Sequence, residues 1–381
     1  MNGIVRAAGR WFSAAALAWV ALPLAVQAEY EDDATAMATA RIAEEVRFRG
    51  ASDEVMLAGT LSRPAYVARD LPVPAVVLIH GSGPNDRDET LYGHKPFRML
   101  AAAFESAGYA VLRYDKRGVG ESSGNLRGAT LVDYAADAEA AFDYLRSRRD
   151  IDATRIGLLG HSEGGMIAPM IAARRSDVAW LVLLAPPTVS GRVISEYQNL
   201  QGALDRGASE QAALAVAAEA GRLFDILQAD LPTEQRDARL YAALQRIGEQ
   251  RHLSEAFVEG QRQSLSSPWF RHILSYDPAP ALEKIRKPAL VLFGAMDHQI
   301  APSLNEGPAR VALKGNAAAE VRVLPGVNHL FLNTHSGAVS EYPRLGGGLS
   351  PVLLDTLQDW LAVQSRRGQD NLIATAYYDP R

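Results

Sequence analysis

Gly160-His161-Ser162-Glu163-Gly164 is the stretch of this chain best suited to covalent chemistry. An apolar run, Ile156-Gly157-Leu158-Leu159, leads into it, and a helix-like run from Gly165 to Ala173 follows. A strand that ends in Gly-x-Ser-x-Gly and turns straight into a helix is a nucleophile elbow: the turn is tight, so small residues flank the serine, and its hydroxyl is lifted clear of the backbone. Five such residues could also form an ordinary glycine-rich turn. The strand on one side and the helix on the other favour the elbow.

A serine hydroxyl is a poor nucleophile near neutral pH. It needs a base in contact, and the base needs an orienting acid. Behind an elbow the chain order is serine, acid, histidine. Late in the chain stand His298, His329 and His335. Asp297 follows the strand-like Leu290-Val291-Leu292-Phe293 and the turn Gly294-Ala295-Met296. His329 follows the strand-like Val321 to Leu324 and the turn Pro325-Gly326-Val327-Asn328. Both therefore fall just beyond a strand C-terminal end, on the sheet edge expected to carry Ser162, where ligands bind in open α/β sheets. Asp297 could instead cap the helix start after it, and His329 could be a satisfied histidine at a turn. His335 is the alternative base, and His298 is expected at the surface or on a pocket rim.

Acyl chemistry at Ser162 would create an oxyanion, which needs fixed donors. The backbone N–H of Glu163, directly after the serine, is one. The second is assigned to the N–H of Ser82 in the loop His80-Gly81-Ser82-Gly83-Pro84-Asn85-Asp86-Arg87-Asp88, where glycine allows close backbone approach. No Gly-Lys-Ser/Thr follows, so the loop is not a phosphate cradle. The charged turn Tyr114-Asp115-Lys116-Arg117-Gly118-Val119-Gly120-Glu121-Ser122 could touch a polar substrate. The stronger reading is structural, with Asp115 and Arg117 pinning neighbouring loops; His80 is likewise expected to support its loop. No metal-ligand spacing is present, so neither a metal nor another cofactor is implied.

These residues need a scaffold that brings strand ends to one edge. Val46-Arg47-Phe48-Arg49 and Val55 to Leu61 flank Gly50-Ala51-Ser52-Asp53 and read as an antiparallel hairpin. Apolar runs at Ala75–Ile79, Ala110–Arg113, Ile156–Leu159, Trp180–Leu184, Ala289–Phe293 and Glu320–Leu324 read as strands, most of them covered on both faces. Helices are expected at Pro96–Ala107, Leu131–Arg146, after the elbow, and at Val352–Val363. The alternation predicts an α/β fold with a mostly parallel sheet and helices on both faces. Residues 44–186 and 281–365 form this core. Residues 187–280 carry no strand signal but have helical spacing, as at Leu223, Ile226 and Leu227, and are expected to form a helical cap that holds the substrate-binding residues. An elaboration packed to one side is the alternative. Residues 29–43 read as a linker and 366–381 as a loosely held tail.

The chain has 381 residues, no cysteine, 48% hydrophobic residues and a net charge of -5. Mild acidity without a basic tract argues against nucleic acid as a partner. Arg6 and Arg10 precede the apolar stretch Trp11 to Val26, and Val26-Gln27-Ala28 offers small residues for cleavage, the layout of a signal peptide over residues 1–28. The apolar stretch is short for a membrane-spanning anchor, the alternative reading. An exported protein, periplasmic or extracellular, is expected, without stable membrane insertion. With no cysteine, neither disulfides nor a lipid-modified cysteine can anchor it. No feature of the chain marks an oligomeric state.

Over residues 44–365 the chain resembles the alpha/beta hydrolase superfamily, and most nearly bacterial serine esterases of its dienelactone-hydrolase and acyl-thioesterase-like branch. The resemblance is carried by His80-Gly81-Ser82-Gly83-Pro84 with Asp86-Arg87-Asp88, by Asp115 to Ser122, by Gly160 to Gly165, and by Asn328-His329-Leu330-Phe331. It implies Ser162, Asp297 and His329 as a triad and hydrolysis of small-molecule carboxylic esters without a cofactor. The long insertion departs from minimal members, so their substrate ranges do not transfer. The same triad could serve a peptidase, amidase or thioesterase, and a binding module that has lost catalysis is the reading from another class.

Overall fold

Each apolar run is a strand of one eight-stranded sheet. The computed structural model describes residues 41–67 and 71–377, and of residue 41 and residues 366–377 only the backbone. The expected signal peptide and residues 29–40 lie outside the described residues. In chain order the elements are β1 (Arg41–Arg49), β2 (Met56–Pro64), β3 (Val73–Ile79), α1 (Pro96–Ser106), β4 (Ala110–Tyr114), α2 (Leu131–Arg146), β5 (Ile151–His161), α3 (Glu163–Ala172) and β6 (Leu181–Leu184). Helices α4 (Gly191–Asp205), α5 (Glu210–Gln228), α6 (Thr233–Arg251), α7 (Glu255–Leu265), α8 (Pro268–Ser275) and α9 (Ala279–Leu282) follow. Then come β7 (Ala289–Gly294), α10 (Pro302–Ala312), β8 (Ala319–Leu324) and α11 (Pro351–Tyr377).

The strand order is β1-β2-β4-β3-β5-β6-β7-β8. The pairs β1/β2 and β2/β4 are antiparallel, and every other pair is parallel. Parallel strands covered on both faces bury every residue, as β3, β6 and β7 do. Each fully buried valine, leucine or isoleucine there contributes about 1.5–3 kcal/mol. Parallel connections also bring the C-terminal ends of β3, β5, β7 and β8 to one edge, and the loops that follow them carry Ser82, Ser162, Asp297 and His329.

Three boundaries differ from the sequence expectation. Residues 41–43 belong to β1, not to a linker: Arg41, Ile42 and Ala43 pair with Pro64, Arg63 and Ser62. An edge strand tolerates charge, so Arg-Ile-Ala-Glu-Glu looks unlike the buried strands. Strand β5 begins at Ile151, ahead of its apolar half. The last helix runs on to Tyr377, through residues expected as a tail, because no proline interrupts it.

The segment between β6 and β7 is helical. Four of its helices start at a serine whose side chain accepts from the backbone N–H three residues on: Ser190, Ser209, Ser254 and Ser267. Leu223, Phe224, Leu227, Leu240, Leu244 and Phe270 belong to a core cluster of the insertion's own. Its two ends meet, with Gly191 N–H donating to Tyr276 O at 3.2 Å. A Cβ at Gly191 would lie 2.0 Å from Ile273 O, so only glycine permits that approach. Among the described residues, no helix is long and apolar enough to cross a membrane.

Candidate active site

The chain reverses between β5 and α3 at Ser162, whose φ of 53° is strained for a residue with a side chain. Ser162 N–H donates to Leu184 O at 2.8 Å, which ties the turn to β6. The flanking glycines have no room for a side chain. A Cβ at Gly160 would meet Gly164 O at 2.0 Å, and one at Gly164 would meet Ile79 O at 2.0 Å. The motif is thus a steric requirement of the turn. Ser162 itself is buried, 4% exposed.

Asp297 and His329 come together across the loops that follow β7 and β8. His329 Nδ1 lies 2.7 Å from Asp297 Oδ2. Asp297 Oδ1 accepts from the N–H groups of Gln299 (2.7 Å) and Ile300 (2.8 Å). Burial pushes the Asp297 carboxyl up, but His329 and these two amides overcome it and leave it below the usual carboxylate range. An ionised Asp297 only accepts, so it keeps the proton of a neutral His329 on Nδ1 and leaves Nε2 free to act as a base. Asn328 orders the base loop: its Oδ1 accepts from Leu330 and Leu332 N–H, both at 3.0 Å. The ring of His161, next to the serine, lies 4.8 Å from that of His329, centroid to centroid, and is tilted 46° to it. The structure thus brings Asp297 and His329 into contact and sets the neighbour of Ser162 against His329. His335 is exposed and its N–H donates to Glu341, away from this pair. His298 turns to the insertion, pairing with Asp205 (2.9 Å) and Gln201 (3.2 Å) of α4.

The loop after β3 approaches from the other side. A Cβ on Gly81 would lie 3.3 Å from Ser162 Cβ. Gly81 N–H is committed to Glu89 Oε1 at 2.5 Å. Gly81 O accepts from Asn85 Nδ2 at 2.8 Å and from Lys116 Nζ at 3.0 Å. In a trans peptide the C=O and the following N–H point opposite ways, so these two donors set the direction of Ser82 N–H. His80, fully buried, donates to Tyr114 O at 2.5 Å, and burial lowers its pKa to about 4. It is a neutral brace for the loop.

The contacts of four residues, Glu163, Lys116, Trp269 and Glu89, had no sequence signal. The carboxylate of Glu163 is fully buried and takes Lys116 Nζ at 2.6 Å, Ser82 Oγ at 3.3 Å and Trp269 Nε1 of α8. Lys116 also lies over the Tyr134 ring at 4.2 Å. The side chain after the serine therefore joins the β3 loop, the β4 loop and the insertion. Glu89, a buried residue at φ 53°, is the fourth. Asp115 and Arg117 hold loops: Asp115 accepts from Arg87 and from Glu121 N–H, and Arg117 grips Asp137 through two bonds of 2.6 and 2.8 Å. Among the described residues, no group of three or more His, Cys, Asp or Glu is placed to hold a metal ion.

The arrangement sets an acid-oriented imidazole against the neighbour of Ser162 and brings the loop after β3 up to the serine itself. Residues 76–341 match the profile of the alpha/beta hydrolase family. Esterase EstD of Thermotoga maritima is 27% identical over 290 residues, which cover 76% of this chain and 62% of EstD. An uncharacterised protein of Mycobacterium tuberculosis, MT2364, is 36% identical over 116 residues, 30% of this chain and 37% of that protein. The chain thus spans less than two thirds of either relative. The solved structure of Pyrococcus furiosus esterase PF2001 superposes with a TM-score of 0.51 at 15% identity, covering 85% of this chain and 91% of that one. At that identity the likeness concerns the fold.

Proposed function

The chain belongs to the alpha/beta hydrolase family, and on that footing we propose that it is an exported serine carboxylesterase acting on small-molecule esters. The observation that carries the reading is the 2.7 Å pairing of His329 with Asp297 beside a strained serine turn. The name of EstD supports an ester, rather than an amide or thioester, as the substrate bond.

In this mechanism Ser162 Oγ attacks the acyl carbon and His329 Nε2 takes the hydroxyl proton. Asp297 holds the ring orientation and stabilises the imidazolium that forms. The N–H groups of Glu163 and Ser82 receive the oxyanion. Collapse of the tetrahedral species expels the alcohol, which takes the proton back from His329. Water, deprotonated by His329, then hydrolyses the acyl-enzyme. The helical insertion acts as a cap, with Trp269 set on Glu163 directly beside the nucleophile. Export rests on residues 1–28, and cleavage after Ala28 would leave Glu29 as the first residue of the mature chain.

The test is hydrolysis of p-nitrophenyl esters, acetate through long acyl chains, by wild type and Ser162→Ala. Loss of about 10⁴-fold or more in kcat is expected in the variant, and the chain-length profile sizes the pocket under the cap. Retention of most activity by Ser162→Ala would overturn the mechanism. Inactivity of the wild type on every ester, with matching p-nitroanilides cleaved, would move the reading to an amidase.

A further inference from the structure

The mechanism above leaves a second buried carboxylate–imidazole pair unused. His161 is 4% exposed and Glu89 is fully buried. His161 Nδ1 lies 3.1 Å from Glu89 Oε1, and its Nε2 lies 3.0 Å from the backbone carbonyl of His329. A carbonyl oxygen only accepts. A neutral imidazole has one donor and one acceptor nitrogen, so a neutral ring that served His329 O would turn a bare nitrogen on Glu89. Glu89 Oε1 already receives the Gly81 N–H at 2.5 Å, so it too is placed as an acceptor. Its other oxygen, Oε2, is buried with no hydrogen-bond partner among the described residues. Both ring nitrogens of His161 therefore face acceptors, and only the imidazolium satisfies both.

We infer that His161 is held as a lasting imidazolium by Glu89, and that the pair positions the loops on the two sides of Ser162. One end of the chain of contacts fixes the carbonyl of His329. The other fixes the amide of Gly81, one residue before Ser82. Glu89 adopts a left-handed backbone, φ 53°, that a non-glycine residue keeps only when its surroundings impose it. The titratable groups that face His161 are Glu89, the His329 ring and Asp297. Burial opposes its charge, but Glu89, the His329 carbonyl and Asp297 outweigh burial and raise its pKa. His161 and Glu89 are positioning residues, since neither reaches substrate in this reading. That role rests on Ser162 and His329 acting as proposed; the charge state of His161 does not.

The test is ring-nitrogen NMR of the full chain labelled with ¹⁵N-histidine, the His161 signals assigned by their loss in His161→Asn. The expected result is a doubly protonated His161 ring at pH 7, where an ordinary imidazole is mostly neutral. A neutral His161 tautomer at pH 7, with Glu89 carrying the proton, would overturn the inference even if the esterase reading stands. In Glu89→Gln, His161 should become neutral at pH 7 and kcat on p-nitrophenyl acetate should fall about 10–100-fold, with KM within about two-fold, as for a misplaced reacting group. An imidazolium that persists in Glu89→Gln would remove Glu89 from the role. Should that variant not fold, the wild-type titration still decides. An enzyme inactive on all esters would defeat the esterase reading and leave the charge-state result intact.

Discussion

Replacing Lys116 by Met tests whether the buried pair with Glu163 holds the site together. The side chains of Lys116 and Glu163 are 5% and 0% exposed and 2.6 Å apart. Methionine keeps length and volume but removes the cation, leaving the carboxylate, among the described residues, with Ser82 Oγ and Trp269 Nε1 as side-chain donors. Breaking one side of such a pair costs about 3–5 kcal/mol, because the remaining charge is buried without compensation. Unfolding entropy of ~2.1 cal/mol/K per residue gives ~0.8 kcal/mol/K for a chain this long, so Tm should fall by about 4–6 °C. Lys116→Met with Glu163→Gln removes both charges, and should recover most of that loss. Activity should fall as well, since Lys116 also orients the Gly81 carbonyl and hence Ser82 N–H. Loss of one oxyanion donor costs about 10²–10³ in kcat, so a partial disorientation should cost about 10–100-fold. The assays are calorimetric melting of the four proteins of the cycle and kcat on one p-nitrophenyl ester. A Lys116→Met protein within 1 °C of wild type, or a double variant as unstable as the sum of the singles, would refute the argument.

Two further outcomes follow from the same geometry. Asp297→Asn can turn an amide N–H toward His329 and so favour the wrong tautomer; kcat should drop about 10⁴-fold with little change in melting temperature, and a drop below ten-fold would exclude Asp297 as the orienting acid. His298 is raised above the usual imidazole value by its hydrogen bond and charge pairing with Asp205, with Asp297 adding to it. The stability this pair contributes is fully present below the unfolded value of about 6.5 and is lost as pH rises through the raised native value. The Tm gap between wild type and His298→Asn should therefore be widest below about pH 6.5 and narrow above it. A gap that stays constant or widens with pH would show that the charge on His298 ties nothing.

What could be read from the chain and what could not divide along a physical line. The elbow was legible because sterics at Gly160 and Gly164 leave one residue type, and the sheet because strands covered on both faces show as apolar runs. Asp297 and His329 were legible by order and by their place after strands. Glu89, Lys116 and Trp269 were not. Glu163 and Trp269 are 106 positions apart, and Lys116 and Glu163 are 47 apart. A charge buried by a distant partner leaves no period or spacing behind. The start of β1 was hidden for a related reason: Glu44 and Glu45, just after the residues read as a linker, are paired by Arg148 and Arg87 from remote elements, so the first half of the strand carries no apolar signal. Helix α10 begins without a polar cap, at Ala301 followed by Pro302, and so had no start signal of the serine kind.

The meeting of the insertion's two ends has an evolutionary meaning. Gly191 and Tyr276 are within hydrogen-bonding distance, so the helices between them leave and re-enter the sheet through a single doorway. The segment has a core cluster of its own, yet Trp269 on Glu163 and the α4 partners of His298 also bind it to the loops of the sheet, so any exchange has to replace those contacts as well. An exchange between relatives of this fold, or a chimaera made by an engineer, would therefore join at 191 and 276 and carry Trp269 and the α4 partners of His298 along with it.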